Sequence, residues 1–197
     1  MTEKASAYIH PTAIVEENVS VGSNAKIWHH CHVRTGSVIS EDVSLGKDVF
    51  IDTGVTIEKG SRIQNGVSVY NGVMVHRWVF VGPNVTFTND RVPRAGNKTW
   101  RVSKTELMTG CSIGAGSTII SDVTIGAFAL IGAGSVVTES VPAFHLAYGL
   151  PAKIVSRICA CGDSRISLED TSSPIRPCCE KRLLPEVLAL AVAEAKK

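Results

Sequence analysis

The sequence predicts an all-β solenoid with three short sides per coil, followed by a short helical tail. Two observations predict the solenoid: an apolar residue recurs every six positions, and a second, smaller column recurs four positions after the first. A third observation, a single break in that period, predicts one loop inserted into an otherwise regular stack.

The first column runs Ile9, Val15, Val21, Ile27, Val33, Ile39, Leu45, Ile51, Ile57, Ile63, Val69, Val75, Val81 and Phe87. It resumes at Leu107 and continues through Ile113, Ile119, Ile125, Ile131 and Val137. With apolar residues at 44% of the chain, an unbroken run of this length has a chance probability of roughly 10⁻⁷. The second column includes Ala25, Cys31, Ser37, Val43, Val67, Cys111, Ser117 and Ala129, all small or β-branched. A period of six is neither the 3.6 of a helix nor the 2 of a long strand. A strand of a few residues and a turn, repeated three times per coil, does fit it. Stacked coils then bury both columns in one core, and the hexads amount to about seven coils. Gly22, Gly46, Gly82, Gly114, Gly126 and Gly132 follow the large residue, where backbone with unusual dihedrals is expected. Cys31 and Cys111 fall in the small inward column and read as core residues, not nucleophiles.

From Phe87 to Leu107 the chain takes 20 residues where one hexad takes six, so 14 are inserted, within about residues 88–106. The segment reads as a surface excursion or as a flap over a cleft between subunits. Residues 1–157 form the predicted solenoid domain. Residues 158–197 break the repeat and form a cysteine-containing tail. There Cys159 and Cys161 form one cluster, Cys178 and Cys179 another. Two clusters of thiols suggest zinc, but this spacing departs from the common C-x₂-C, and free thiols on a mobile tail are the alternative. The segment LLPEVLALAVAEAKK (183–197) predicts a helix with Pro185 near its start and Leu184, Leu188 and Ala191 or Val192 on one face.

Composition limits the function. The chain has 197 residues and a net charge of +2, which supplies no electrostatic basis for binding nucleic acid or a membrane surface. No apolar run approaches the roughly 18 residues of a membrane span. The start, MTEKASAY, lacks the apolar stretch of a signal peptide, so a cytoplasmic location is expected. In that compartment six cysteines imply thiols or a metal rather than disulfides.

Seven segments carry a resemblance: IHPTAIV (9–15), KIWHHCHV (26–33), SLGKDVFI (44–51), RIQNGVSVYNGV (62–73), VFVGPNVTFTND (79–90), VTIGAFALIGAGSVV (123–137) and YGLPAKIV (148–155). The chain resembles the hexapeptide-repeat acyltransferases. Within them it is most similar to N-acetyltransferases that act on UDP-2-acetamido-3-amino-2,3-dideoxy-glucuronate. The resemblance implies a left-handed parallel β-helix, acetyl-CoA as cosubstrate and a nucleotide-sugar acceptor. It further implies a role in bacterial surface polysaccharide synthesis and a homotrimer with sites between subunits. Two departures from that pattern are Gly66, where the family has a second Asn, and Asp90-Arg91-Val92 after the FTN motif.

Acetyl transfer to an amine needs an oriented nucleophile, an oxyanion donor and a proton acceptor. Asn89, in FTND at the mouth of the insertion, is the candidate catalytic residue, because an amide both donates and accepts. Its alternative reading is a turn residue. Gln64, Asn65 and Tyr70 are candidate substrate contacts, and Arg94 in the loop matches an Arg that can fork onto a carboxylate or diphosphate. His29, His30 and His32 crowd one hexad beside Trp28, but a base must also reach its proton. His76 stands where the family usually has an acidic residue and is no carried-over base. Gly132 and Ala133 offer a side-chain-poor track for a pantetheine arm, although small residues also simply build tight coils. Lys153 and Arg157 are placed to meet coenzyme phosphates. Three other functions compete: a dTDP-linked 3-amino sugar as acceptor, a non-catalytic scaffold, and a zinc carbonic anhydrase on the same solenoid. The last needs three converging His, and no His lies between His76 and His145.

Overall fold

The computed structural model describes residues 6–197. Residues 1–5, part of the segment behind the expectation of no leader, lie outside the described residues. Three parallel sheets form the three faces of a solenoid. The first face stacks Tyr8–Ile9, Lys26–Ile27, Ser44–Leu45, Arg62–Ile63, Phe80–Val81, Ser112–Ile113, Leu130–Ile131 and His145–Gly149. The second runs in seven strands from Ile14–Val15 to Val136–Val137, and the third in six from Ser20–Val21 to Thr124–Ile125. Each strand pairs with the one three hexads on, as Ile27 does with Leu45 and Ile63 with Val81. Both apolar columns point inward: Ile27, Ile63, Ile113 and Ile131 are fully buried, and so are Cys111, Ser37 and Ser117 of the smaller column. The stack outruns the hexads. Beyond Val137, Val141 bridges to Ile125 and Leu146 pairs with Leu130, adding a further part-coil.

Glycine has a different role from the one expected. Those that follow the large residue keep ordinary dihedrals and instead permit close stacking. A Cβ on Gly114 would lie 2.4 Å from the Ala133 nitrogen, and one on Gly46 would lie 2.8 Å from the Asn65 nitrogen. The left-handed backbone falls two residues later, at the corner, where it is taken by Gly54 and Gly116 but equally by Asn24 and Asp48.

The insertion leaves after Thr86–Phe87 on the second face. It ends before the strand Thr105–Leu107 on the third, so it spans 88–104 and is two residues shorter than expected. The register shows its size: Phe80 pairs with Ser112, fourteen residues beyond the regular spacing.

The tail is folded onto the solenoid. Ala152–Ile158 runs antiparallel to His145–Gly149, and Arg165–Ile166 antiparallel to that, so two strands extend the first face. Helix α1 (Pro177–Arg182) and helix α2 (Pro185–Glu194) follow. A second apolar cluster joins them to the corner between third and first faces through Phe128, Phe144, Cys159, Ile166, Cys179, Val187 and Ala191. The expected helix exists, but it buries Val187 and Ala191, while Leu184 is its exposed N-cap. α1 had no sequence signal, because its six residues are too few to show a periodicity. The 157/158 boundary falls inside the packed strand Ala152–Ile158.

Candidate functional site

The predicted substrate residues occupy two corners of the second face. Asn89 stands at the neck of the loop, between second and third faces. Its carbonyl accepts the Ser103 N–H (3.2 Å), and Thr88 Oγ1 beside it accepts the Ser121 N–H (2.9 Å). Asn89 is not in the left-handed region. The side-chain turn at this point is made by its neighbour: Asp90 Oδ1 accepts the Val92 N–H at 2.8 Å. Neither usual structural reason for an Asn therefore applies at Asn89. Among the described residues its side-chain amide has no hydrogen-bond partner. The returning limb of the loop rests on the coil below, where Gly72 leaves no room for a Cβ beside the Ser103 carbonyl. Arg94 lies exposed in the loop, donating to its neighbour's carbonyl, Pro93 O, at 2.8 Å.

Tyr70 lies on the same edge of the second face, two residues past Ser68, which pairs with Thr86. Its ring continues a column with Phe50 (6.1 Å) and His32 (5.6 Å further). His32 is fixed by Glu16 at 2.7 Å, and Arg34 joins Glu16 to Asp52, reaching Asp52 at 2.9 Å. Burial raises the Asp52 carboxyl, but the N–H groups of Thr53 and Asn71 and the Arg34 guanidinium outweigh it and hold the group below the ordinary carboxylate range. His10 stacks on His29 at 3.6 Å, and partial desolvation with the two neighbouring imidazoles lowers its pKa. His76 lies on the third face, 3.6 Å from Glu58.

Gln64 and Asn65 lie at the other corner, between first and second faces. Asn65 Oδ1 accepts the Lys47 N–H at 2.9 Å, which gives this side chain a coil-stacking role. Gln64 opens onto a groove of about 630 Å³ on the first face with Lys26, Trp28, Ser44 and Arg62. The groove leads into a cleft of about 450 Å³ beneath the tail, lined by Arg62, Trp78, Phe80, Cys161, Arg182 and Leu184. Sequence reasoning missed Lys26 and Arg62. The signal was available, since both occupy the outward position just before the large residue, two coils apart.

The predicted coenzyme residues lie at the C-terminal end of the first-to-second corner. Gly132 lets Tyr148 stack: a Cβ there would meet Tyr148 Cβ at 2.7 Å. Ala133 is exposed, and Gly116 and Gly134 border open space. Lys153 is exposed and pairs with Tyr148 across the antiparallel strands. Arg157 donates from Nη1 to the Asp170 carbonyl in the tail. Arg165, which the sequence did not single out, lies over the Tyr148 ring at 5.9 Å and leaves an exposed cation beside Lys153.

Cys31 and Cys111 are buried, as the repeat required, and burial raises both thiols. The tail cysteines differ. All four sulfurs lie within 4.8 Å of one another. Burial raises Cys159, but the Ser164 N–H and the thiols of Cys161 and Cys178 outweigh it and bring it down to about 7; burial and the thiols of Cys159, Cys178 and Cys179 drive Cys161 upward. The expectation of free thiols on a mobile tail gives way to a packed cluster.

Profiles described as "Bacterial transferase hexapeptide (six repeats)" and "Hexapeptide repeat of succinyl-transferase" match residues 104–139 and 36–71. A dTDP-3-amino-3,6-dideoxy-alpha-D-galactopyranose 3-N-acetyltransferase of Aneurinibacillus thermoaerophilus is 44% identical over 156 residues, 79% of this chain and 81% of that one. The chain belongs to this family of hexapeptide-repeat amino-sugar N-acetyltransferases. Among solved structures, an N-acyltransferase variant from Bacillus cereus in complex with dTDP and coenzyme A aligns at 20% identity over 79% of this chain and 78% of that one, TM-score 0.47. A perosamine N-acetyltransferase variant from Caulobacter crescentus, in complex with CoA and GDP-perosamine, aligns at 22% identity over 77% and 57%, TM-score 0.44. Among the described residues no helix is long and apolar enough to cross a membrane.

Proposed function

We propose that the chain transfers an acetyl group from acetyl-CoA to the 3-amino group of a dTDP-linked 3-amino-3,6-dideoxyhexose, as a homotrimer. One observation carries this reading: 44% identity along most of both chains to an enzyme named for that reaction. It favours the dTDP sugar over the UDP-linked uronate that the sequence motifs suggested. The two departures from the uronate pattern, Gly66 and Asp90-Arg91-Val92, agree with it.

The neutral amine attacks the thioester carbonyl, the C–S bond breaks, and the amine proton passes to the departing thiolate, so no side-chain base is obligatory. Asn89 orients the amine or donates to the developing oxyanion with its unpartnered amide. Lys26, Arg62 and Gln64 line a groove, shared with Asp42 and Glu186, in which the two cations can meet a diphosphate and Trp28 can stack on the base. Ala133, Lys153 and Arg165 mark the coenzyme end, where an arm can lie against exposed backbone and its phosphates can meet two cations. A role in surface polysaccharide synthesis follows from such a product. The test is an acceptor screen with acetyl-CoA, read by thiol release. Turnover of dTDP-3-amino-3,6-dideoxyhexoses at least tenfold faster than of UDP-2-acetamido-3-amino-2,3-dideoxy-glucuronate is expected. The reverse order would restore the uronate reading, and no thiol release with any amino sugar would leave a scaffold.

A further inference from the structure

We propose that Cys159, Cys161, Cys178 and Cys179 bind one zinc ion that fixes the tail to the solenoid. The sulfurs of Cys159 and Cys161 lie 3.5 Å apart, those of Cys159 and Cys178 3.7 Å, and those of Cys161 and Cys178 3.5 Å. Zn–S bonds of about 2.3 Å in a tetrahedron require S···S edges of about 3.8 Å. These three edges are already within a few tenths of an ångström of that value, and Cys179 Sγ lies within 4.8 Å of all three sulfurs. They are too long for disulfides, whose sulfurs sit about 2.05 Å apart.

The local fold answers the objection from spacing. Gly162, at φ +79°, lets the chain double back directly after Cys161. Cys178 and Cys179 lie in the first turn of α1, whose start is brought against that bend, so adjacent residues reach one point from a helix end. Backbone donors already face the sulfurs, as a thiolate cage requires: the Ser164 N–H at 3.2 Å from Cys159 Sγ and the Arg176 N–H at 3.5 Å from Cys179 Sγ. Binding releases the thiol protons and leaves a dianionic centre with no open position, so the zinc is structural and takes no part in acyl transfer.

The tail needs such a staple. The buried apolar residues it contributes are Ile158, Cys159, Ala160, Ile166, Cys179, Val187 and Ala191, two of them ligands, with Leu183, Leu188 and Leu190 packed on them only half-buried. So small a core does not hold a segment of this size on its own. The ion would also set one wall of the cleft, which Cys161 lines together with Arg182 and Leu184.

The test uses the full chain, purified without chelators, and measures metal by atomic emission. About one zinc per chain is expected, released by an organomercurial in step with four thiols. Cys161→Ser and Cys178→Ser should each cut the zinc below about a tenth of the wild-type content, while the core variant Cys111→Ala keeps it. Replacement by cobalt should give the charge-transfer bands of a tetrahedral thiolate site. If the cysteine variants fail to fold, the wild-type mercurial titration and cobalt spectrum decide. A chain that holds no zinc after reconstitution, that holds iron in its place, or that releases zinc out of step with those thiols overturns the proposal. None of these readouts depends on the acyl acceptor.

Discussion

Among the described residues the Asn89 side-chain amide has no partner, at a point where its neighbour Asp90 makes the turn and its own backbone is outside the left-handed region. An amide so placed is available for chemistry. Asn89→Ala should lower kcat by roughly 10²–10³, the worth of one oxyanion-type donor, with a melting temperature within a degree or two of wild type. Asn89→Asp should lose as much, since it keeps the shape but removes the donor. A variant that melts early with kcat unchanged would return Asn89 to the status of a turn residue. Asp52 serves the opposite purpose. Thr53, Asn71 and Arg34 all bind its carboxylate, at 2.8, 3.2 and 2.9 Å. Because its folded pKa is depressed, its contribution to stability is complete above the ordinary carboxylate value of about 3.9 and is lost as pH falls through the lowered folded value. Asp52→Asn should cost about 1 kcal/mol at neutral pH, the net worth of a hydrogen bond, with the half-exposed Arg34 adding little. The cost should shrink as pH falls below the ordinary carboxylate value, and melting curves at pH 7 and pH 3 give the comparison.

At the scale of the coil, two small residues in stacked coils, Gly114 and Ala133, have opposite reasons to be there. Gly114→Ala puts a Cβ 2.4 Å from the Ala133 nitrogen, which belongs to backbone and cannot move aside. It should destabilise by about 1–3 kcal/mol, as overpacking does. Ala133 itself faces solvent. Ala133→Leu should therefore leave the melting temperature unchanged and raise KM for acetyl-CoA roughly tenfold, about 1.4 kcal/mol of lost binding, with kcat preserved. A Leu at 133 that alters neither constant would mean the small residues only build coils. The same comparison shows what the sequence could reveal. The inward columns were legible because burial repeats with the coil, and every coil obeys the same constraint. The glycine role was not legible, because close approach and left-handed backbone both call for Gly and differ only by the position of a neighbour in space. Nor was the union of Cys159, Cys161, Cys178 and Cys179. It depends on a bend at Gly162 and on a short helix without periodicity of its own. The outward placement of Arg165 was not legible for a similar reason: the antiparallel return of the tail decides which cation faces out, and no repeat records it.

For the whole molecule, the decisive fact is that Gln64 and Asn89 lie at different corners of the second face. Gln64 opens onto the first-face groove, and Asn89 stands at the neck of a loop that leaves toward the third face. The interior between them is filled by fully buried residues such as Ile63, Val69 and Phe87, so among the described residues the space between the two corners is closed to a single sugar. Cyclic symmetry removes the difficulty, because in a three-fold ring one corner of each subunit meets a different corner of the next. The proposed trimer then predicts a specific result. Gln64→Ala and Asn89→Ala are each made and each shown to lower activity. The two chains are then co-expressed to give mixed trimers. If a site takes Gln64 from one subunit and Asn89 from its neighbour, random mixing in equal amounts places a wild-type pair at about a quarter of the interfaces. Activity should return to about that fraction of wild type, far above either variant alone. If both residues came from one chain, every site would carry one of the two lesions and mixing would recover nothing. Sedimentation of the mixed sample as a trimer must accompany the assay, since a monomer with full activity would remove the premise together with the prediction.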